Sequence, residues 1–244
     1  MRSVAVLADV HGVLPALEAV LAEPEVQAAE TVVLAGDLAS GPMPVETLDL
    51  LVGLGARALW VRGNADRELV SMARGEPVDP PDAVTPWAAS QLRADQVELL
   101  AGLPTSVTVG DVLFCHATPR DDEEMVLVDS PISRWAEVFS VVPTDVRTVV
   151  CGHTHMPFAR QVDRRLVVNA GSVGMPYGAP GPSWALLTAD GVQLRRAPFD
   201  AEAAAERIVR ESKYPGREAW VDEYVRSTYS DTEALEAFRP RAGG

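Results

Sequence analysis

A rhythm repeated along the first 155 residues limits what this chain can fold into: a short apolar run, a tight turn carrying a polar side chain, then a helical stretch. Residues 3–8 are almost wholly apolar, as a strand buried on both faces should be, and Asp9-Val10-His11-Gly12 follows before a helical pattern over 14–22. The pattern returns as a strand over 31–35, Gly36-Asp37 and a helix over 45–54. It returns again as a strand over 58–61, Arg62-Gly63-Asn64-Ala65-Asp66 and a helix from Arg67. Strand, turn and helix in that order are the unit of an α/β protein. Open α/β sheets place their ligands at the carboxyl ends of strands, where each of these polar residues falls. The glycines let the backbone turn tightly, so that the next side chain points into the cleft.

The most informative single stretch is Cys151-Gly152-His153-Thr154-His155, after the apolar β-branched run 146–150. In extended backbone, residues two apart project to the same side, so His153 and His155 are expected to face one pocket and to offer two nitrogen ligands to a metal. Asp9 and His11 share that spacing, and a carboxylate beside an imidazole is a common ligand pair for a catalytic transition metal. Either pair alone has a plainer reading, as a solvated strand face or as a helix N-terminal acid next to a polar loop residue. The chain has four histidines, however, and the fourth, His116, also ends an apolar strand, the second arm of a hairpin over 106–109 and 112–115.

The remaining segments frame that site. A loop over 75–86 and an acidic loop over 121–125 read as solvated surface, and helical patterns occupy 87–92, 95–101 and 135–142. After His155, short strands over 158–162, 166–169, 184–188 and 192–196 with little helix between them are expected to add an antiparallel sheet. Residues 169–174 form a tight glycine turn that lacks the lysine of a phosphate loop. Residues 201–210 and 217–229 read as helices, with Trp220 and Tyr224 sharing a face. The 244 residues thus divide into a core over 1–198 and a C-terminal helical extension over 199–244, which would cap the cleft, pack on the core or join subunits of a homo-oligomer.

A net charge of −14 disfavours general nucleic-acid binding and anionic membranes. No apolar run reaches the roughly 20 residues of a membrane span, no signal peptide precedes the first strand, and Cys115 and Cys151 make no disulfide framework, so the expected location is the cytoplasm. An anionic substrate would need a local reversal of the field, which bound divalent metal supplies.

In this order, Asp9-x-His11, Gly36-Asp37, Gly63-Asn64, His116 and Gly152-His153-x-His155 resemble the calcineurin-like metallophosphoesterase family, in particular its small bacterial phosphodiesterases and diadenosine-tetraphosphatase-like members. The resemblance implies a four-layer αββα sandwich, two mixed β-sheets face to face with helices outside, here with the C-terminal helical extension. It implies a two-metal centre in which Asp9, His11 and His155 hold one ion, Asn64, His116 and His153 hold the other, and Asp37 bridges them. The catalytic group it implies is Asp37, Asn64, Asp66 and His116. The sequence departs from the family at Ala65, where many relatives carry a histidine that assists the transition state or the leaving group, and in the helices after Phe199.

Two ions about 3.5–4 Å apart can draw hydroxide from a shared water near neutral pH and clamp a phosphoryl oxygen during in-line attack. Two carboxylates and one hydroxide against two divalent ions leave the centre near +1, enough to draw phosphate into an acidic protein. Imidazole, carboxylate and amide donors without thiolate suit manganese, iron, zinc, cobalt or nickel, and cytoplasmic availability favours manganese or iron. Arg62 and Arg120 flank the motifs and are candidates to bind a phosphate oxygen or, alternatively, to form surface ion pairs. Without an imidazole at Ala65, leaving groups that depart unaided are favoured, and a phosphodiester or nucleoside polyphosphate is the expected small substrate. The competing readings are a phosphoprotein phosphatase or other phosphomonoesterase, and a non-catalytic scaffold of the same fold, against which the complete donor set argues.

Overall fold

The computed structural model describes residues 3–80 and 82–242; residues 1, 2, 243 and 244, and Pro81 of the expected loop over 75–86, lie outside that description. Among the described residues ten strands are formed: β1 (Val4–Leu7), β2 (Thr31–Ala35), β3 (Ala58–Val61), β4 (Ser106–Val109), β5 (Val112–Cys115), β6 (Thr148–Cys151), β7 (Phe158–Val162), β8 (Arg165–Asn169), β9 (Ser183–Thr188) and β10 (Gly191–Arg196). They make two five-stranded sheets, in the orders β10-β9-β1-β2-β3 and β4-β5-β6-β8-β7.

Within the first sheet β1, β2 and β3 run parallel, and within the second β5, β6 and β8 do. The strands after His155 do not form a sheet of their own, as the sequence suggested. A parallel strand at the edge of a sheet has unpaired backbone groups, and these late strands cover them. Strand β9 pairs antiparallel with β1, and β8 adds to β6 with β7 antiparallel beyond it.

The period-2 alternation of strand side chains sorts the apolar residues into layers. Val4, Val6, Ala8, Val33, Ala35, Phe114, Val150 and Val168 meet between the two sheets. Their neighbours Ala5, Leu7, Val32 and Leu34 face helices outside the first sheet, while Leu113, Cys115, Val149 and Val167 face the helix Ile132–Val138 outside the second. The result is the mixed α/β, four-layer sandwich expected from the resemblance.

The C-terminal segment joins the outer layer of the first sheet. The helix Ala201–Glu211 lies against Leu14–Leu21, with Arg207 ion-paired to Glu18, and Ser212 Oγ donates to Pro42 O at 2.6 Å. Trp220, Val221 and Val225 are buried in the same core. The helix expected over 217–229 is instead a short helix, Arg217–Val221, followed by a π-helical turn, Asp222–Arg226. A further helix, Asp231–Phe238, was not anticipated; Ser230 and Glu233 cap it reciprocally. Among the described residues no helix is long and apolar enough to cross a membrane.

Candidate metal centre

Asp9, His11, Asp37, Asn64, His116, His153 and His155 all follow the carboxyl ends of β1, β2, β3, β5 or β6, and the structure brings all seven to one edge of the sandwich. Extended alternation is not what aims them. Asp9, His11, Asp37, His153 and His155 all have φ between 48° and 67°, and Asp163 is the one further non-glycine residue with positive φ among those described. Such left-handed backbone costs a non-glycine residue about 1–2 kcal/mol, and here it is concentrated where donors must turn inward from strand ends.

The glycines before the donors act mainly by absence. Gly36, with φ 88°, turns as expected, and a Cβ there would also meet His116 Nδ1 at 2.6 Å. Gly63 and Gly152 have ordinary φ. A side chain on the first would strike the Asp37 carboxylate and backbone, and on the second the Asp9 carboxylate and Ala8. At Gly36 and Gly152 the two sheets meet too closely for a Cβ, and at Gly63 two neighbouring strand ends of one sheet do.

Two groups of three donors result. Asp9, His11 and His155 form one and Asp37, His116 and His153 the other, with ligand atoms within 4.8 Å of one another in each group. Asp37 Oδ2 lies 3.2 Å from His116 Nε2 and 3.9 Å from His11 Nε2, so it faces both groups. Asn64 Oδ1 is 3.2 Å from His116 Nε2.

Backbone carbonyls fix each imidazole. His11 Nδ1 bonds Ser40 O at 3.3 Å, His116 Nδ1 bonds Ala35 O at 2.8 Å, His153 Nε2 bonds Glu123 O at 3.0 Å and His155 Nδ1 bonds Met175 O at 2.9 Å. A carbonyl only accepts, so each of these nitrogens carries the proton and the other nitrogen faces the cavity. Asp9 Oδ2 accepts the His153 backbone N–H at 2.9 Å, whereas Oδ1 is buried without a hydrogen bond. Around Oδ1 stand only imidazole nitrogens, His155 Nε2 at 3.2 Å, His11 Nε2 at 3.9 Å and His116 Nε2 at 4.0 Å, an arrangement that divalent cations satisfy.

The electrostatics agree. Burial opposes charge on His116, but Asp37 beside it outweighs burial and lifts its pKa to about 10. Asp9 likewise overcomes burial to raise His155. Burial lowers His11, and it lowers His153 to about 4. Both carboxylates lie below their ordinary range, because adjacent imidazoles outweigh the upward push of burial.

The supporting residues depart from expectation. The helix over β3's end begins at Asn64, not Arg67, because Asp66 accepts the Gly63 N–H at 2.9 Å in its first turn. The same carboxylate accepts Asp37 N–H and Leu38 N–H, each at 2.9 Å, and is fully buried. Asp66 therefore ties the Asp37 loop to the Asn64 loop and does not face the reacting centre, which corrects its expected catalytic role to a positioning one. Burial, then the charge of Asp37, raises its pKa to about 7.

The acidic loop is solvated at Asp121 and Glu123, as expected, but Asp122 and Glu124 are half-buried and Glu123 O holds His153, so the loop also borders the site. Asp122 takes Arg62 at 3.0 Å and Arg67 at 3.1 Å, and Glu124 takes Arg120 and Arg134, each at 2.6 Å. Arg62 and Arg120, the expected phosphate contacts, are thus already neutralised by carboxylates. Glu68 had gone unnoticed. It sits one helical turn after Asn64, its Oε1 accepts the Asn64 amide at 3.5 Å, and burial raises its pKa. That contact turns the Asn64 oxygen toward His116. Asn169 braces the histidine loop, donating to Gly152 O at 2.5 Å and Thr154 Oγ1 at 3.0 Å. Ser172 Oγ donates to Asp9 O at 2.8 Å.

An αββα sandwich that gathers carboxylate and imidazole donors at one edge of its sheets has the architecture of a metal-dependent hydrolase. The chain belongs to the calcineurin-like phosphoesterase superfamily, whose domain matches residues 1–191, and it is a metal-dependent phosphoric ester hydrolase. It is 27% identical over 191 residues to the phosphodiesterase YfcE of Escherichia coli, covering 75% of this chain and 85% of that one. The fold is shared with a metallophosphoesterase from Sphaerobacter thermophilus (TM-score 0.74, 23% identity, 91% of this chain and 98% of that one). It is also shared with a hypothetical protein from Pyrococcus horikoshii (TM-score 0.76, 21% identity, 93% and 100%). Members of the superfamily use divalent metal ions, and the two donor groups are of a kind to hold them.

Proposed function

We propose that this protein hydrolyses phosphodiester or phosphoanhydride bonds in small substrates, using two divalent transition-metal ions, with manganese or iron preferred over zinc, cobalt and nickel. In this reading Asp9, His11 and His155 hold one ion, Asn64, His116 and His153 the other, and Asp37 serves both. The observation that carries it is Asp9 Oδ1, buried with only imidazole nitrogens of His155, His11 and His116 within 4.0 Å, beside histidines whose outer nitrogens are tied to carbonyls. When bound, the ions would activate water and polarise the phosphoryl group.

The chain's own residues do the rest. Ala65 N–H donates to Asp37 Oδ1 at 2.8 Å, which fixes the carboxylate that both ions share. The helix Asn64–Ala73 begins at the site, so its positive end favours an anionic substrate. Ala65 is buried and supplies no proton, which favours good leaving groups over simple alkyl monoesters. Residues 1–198 form the catalytic core of this reading and 199–244 an extension packed on it, with a homo-oligomer through that extension as the form to test by sedimentation. Two buried free thiols accord with the cytoplasm.

The test is metal analysis of the purified protein joined to a screen of phosphodiesters, dinucleoside polyphosphates and phosphomonoesters. Two equivalents of metal and a preference for diesters or anhydrides are expected. Protein that takes up metal yet favours alkyl monoesters would overturn the substrate class, and protein that takes up none would overturn the centre.

A further inference from the structure

Beside the first donor group lies a groove of about 280 Å³ that the reaction as described does not use. One wall is tied to the centre. Met175 O takes the His155 Nδ1 proton, Tyr177 N–H donates to His155 O at 3.3 Å, and the Tyr177 ring lies 5.9 Å from the His155 imidazole. The opposite wall comes from the C-terminal extension, with Glu223 and Tyr224 on the π-helical turn, Tyr229 beyond it and Glu233 on the last helix. Single π turns recur at functional sites, and this one aims two consecutive side chains into the same groove.

The lining chemistry is selective. Three tyrosine rings offer stacking faces to a flat ring, and neither the Tyr177 nor the Tyr224 hydroxyl has a hydrogen-bond partner among the described residues. The ionisable groups that line the groove with them are Glu223, which holds the Tyr229 hydroxyl at 2.9 Å, and Glu233; among the described residues no lysine or arginine lines it. A second phosphate would meet two lining carboxylates, with Arg241 the one cation whose charge is felt at Tyr177, whereas an uncharged or cationic ring meets aromatic side chains.

We infer that this groove receives one aromatic ester arm of the substrate, and that the preferred substrate class is a phosphodiester bearing an uncharged flat ring, nucleoside or aryl, over a polyphosphate. The inference rests on the phosphoesterase reading above and narrows it. Specificity then comes from residues beyond the stretch that matches the superfamily domain, since all but the 175–177 wall lies after residue 191.

Calorimetry on the metal-loaded protein tests it with diphenyl phosphate, dimethyl phosphate and bis(4-carboxyphenyl) phosphate. Wild type is expected to bind the diphenyl ester about tenfold tighter than the dimethyl ester, the scale of one aromatic stacking contact. Tyr177→Leu and Tyr224→Leu should each bring that ratio to about threefold or less, and Glu223→Gln should improve binding of the carboxylated ester relative to the diphenyl ester. A ratio, unlike a single affinity, is insensitive to any disturbance of the centre common to both ligands, and melting curves identify a variant that has not folded. An unchanged ratio in both tyrosine variants overturns the groove assignment. If the wild type cleaves diesters but shows no ring preference, the groove assignment fails alone. If the ring preference is present and lost on substitution but no diester is cleaved, the reaction assigned above fails and the groove stands as a binding site.

Discussion

The group of Asp37, His116 and His153 closes up in the seam between the two sheets, whereas that of Asp9, His11 and His155, although Asp9 is fully buried, reaches the rim at partly exposed His11. In each group the carboxylate raises the pKa of one imidazole against burial, His116 to about 10, and burial lowers that of the other, His153 to about 4. Without metal, the proton on His116 offsets the charge of Asp37. The groups differ in what holds them. The His116 side chain is 0% exposed and its carbonyl anchor is 2.8 Å away, while His11 is 12% exposed with its anchor at 3.3 Å. Asp37 is also fixed by Ala65 and by the loops that Asp66 joins. Both groups hang on strand ends, but the Asp9 and His155 side of the rim group is braced by residues 169–178, through Ser172 Oγ to Asp9 O and Met175 O to His155 Nδ1. A cation in the seam should therefore be retained more firmly than one at the rim.

The largest expected effect comes from the carboxylate that faces both groups. Asp37→Asn keeps an acceptor for Ala65 N–H but removes the charge, and it should lower kcat on an aryl diester by about 10³-fold and empty both sites by metal analysis. His11→Ala should empty the rim site alone; loss of both ions there would break the distinction between seam and rim. Next, Asp66→Ala leaves three backbone N–H groups buried without acceptors and should destabilise the fold by about 3–5 kcal/mol in urea titrations. A cost under about 1 kcal/mol would remove the clamp from the account of the seam.

Metal loading should depend on pH with a definite sign. His116, with a pKa of about 10, is protonated throughout the neutral range and must release that proton to bind metal. Apparent affinity of the seam site should therefore rise about tenfold per pH unit between pH 6 and 9, read by calorimetry in buffers of different ionisation enthalpy. The raised pKa of His155 gives the rim site the same sign. Ala65→His should raise turnover of alkyl esters about tenfold or more by supplying a proton donor, with aryl esters changed less. The smallest effect belongs to Arg62→Ala. Its guanidinium is held by Asp122, so KM should move about threefold at most and stability by about 0.5–1 kcal/mol.

The seven donors were legible in the sequence because each is a polar residue just past an apolar run, and strand ends are where such residues converge. Their backbone was not. Spacing of two suggested extended alternation for His153 and His155, and nothing in the side-chain pattern announces φ values of 67° and 58°. Starting the helix at Arg67 hid Glu68, because only a helix that begins at Asn64 puts the two residues one turn apart. The loop over 121–125 looked solvated throughout because its acids are charged, and the arginines that hold Asp122, Arg62 and Arg67, lie far away in sequence. The last helix carried a readable signal in Ser230 and Glu233. The edge pairing of β8 and β9 carried none, since short apolar strands do not declare their neighbours.

The left-handed turns at Asp9, His11, Asp37, His153 and His155 bear on anyone who would borrow this centre. Installing the same seven side chains on another scaffold's regular strands would splay them, because their aim resides in peptide torsions that ordinary strands refuse. A successful graft must carry the bends along with the ligands, and a host whose flanking segments relax those bends should lose cation affinity while every donor remains in place.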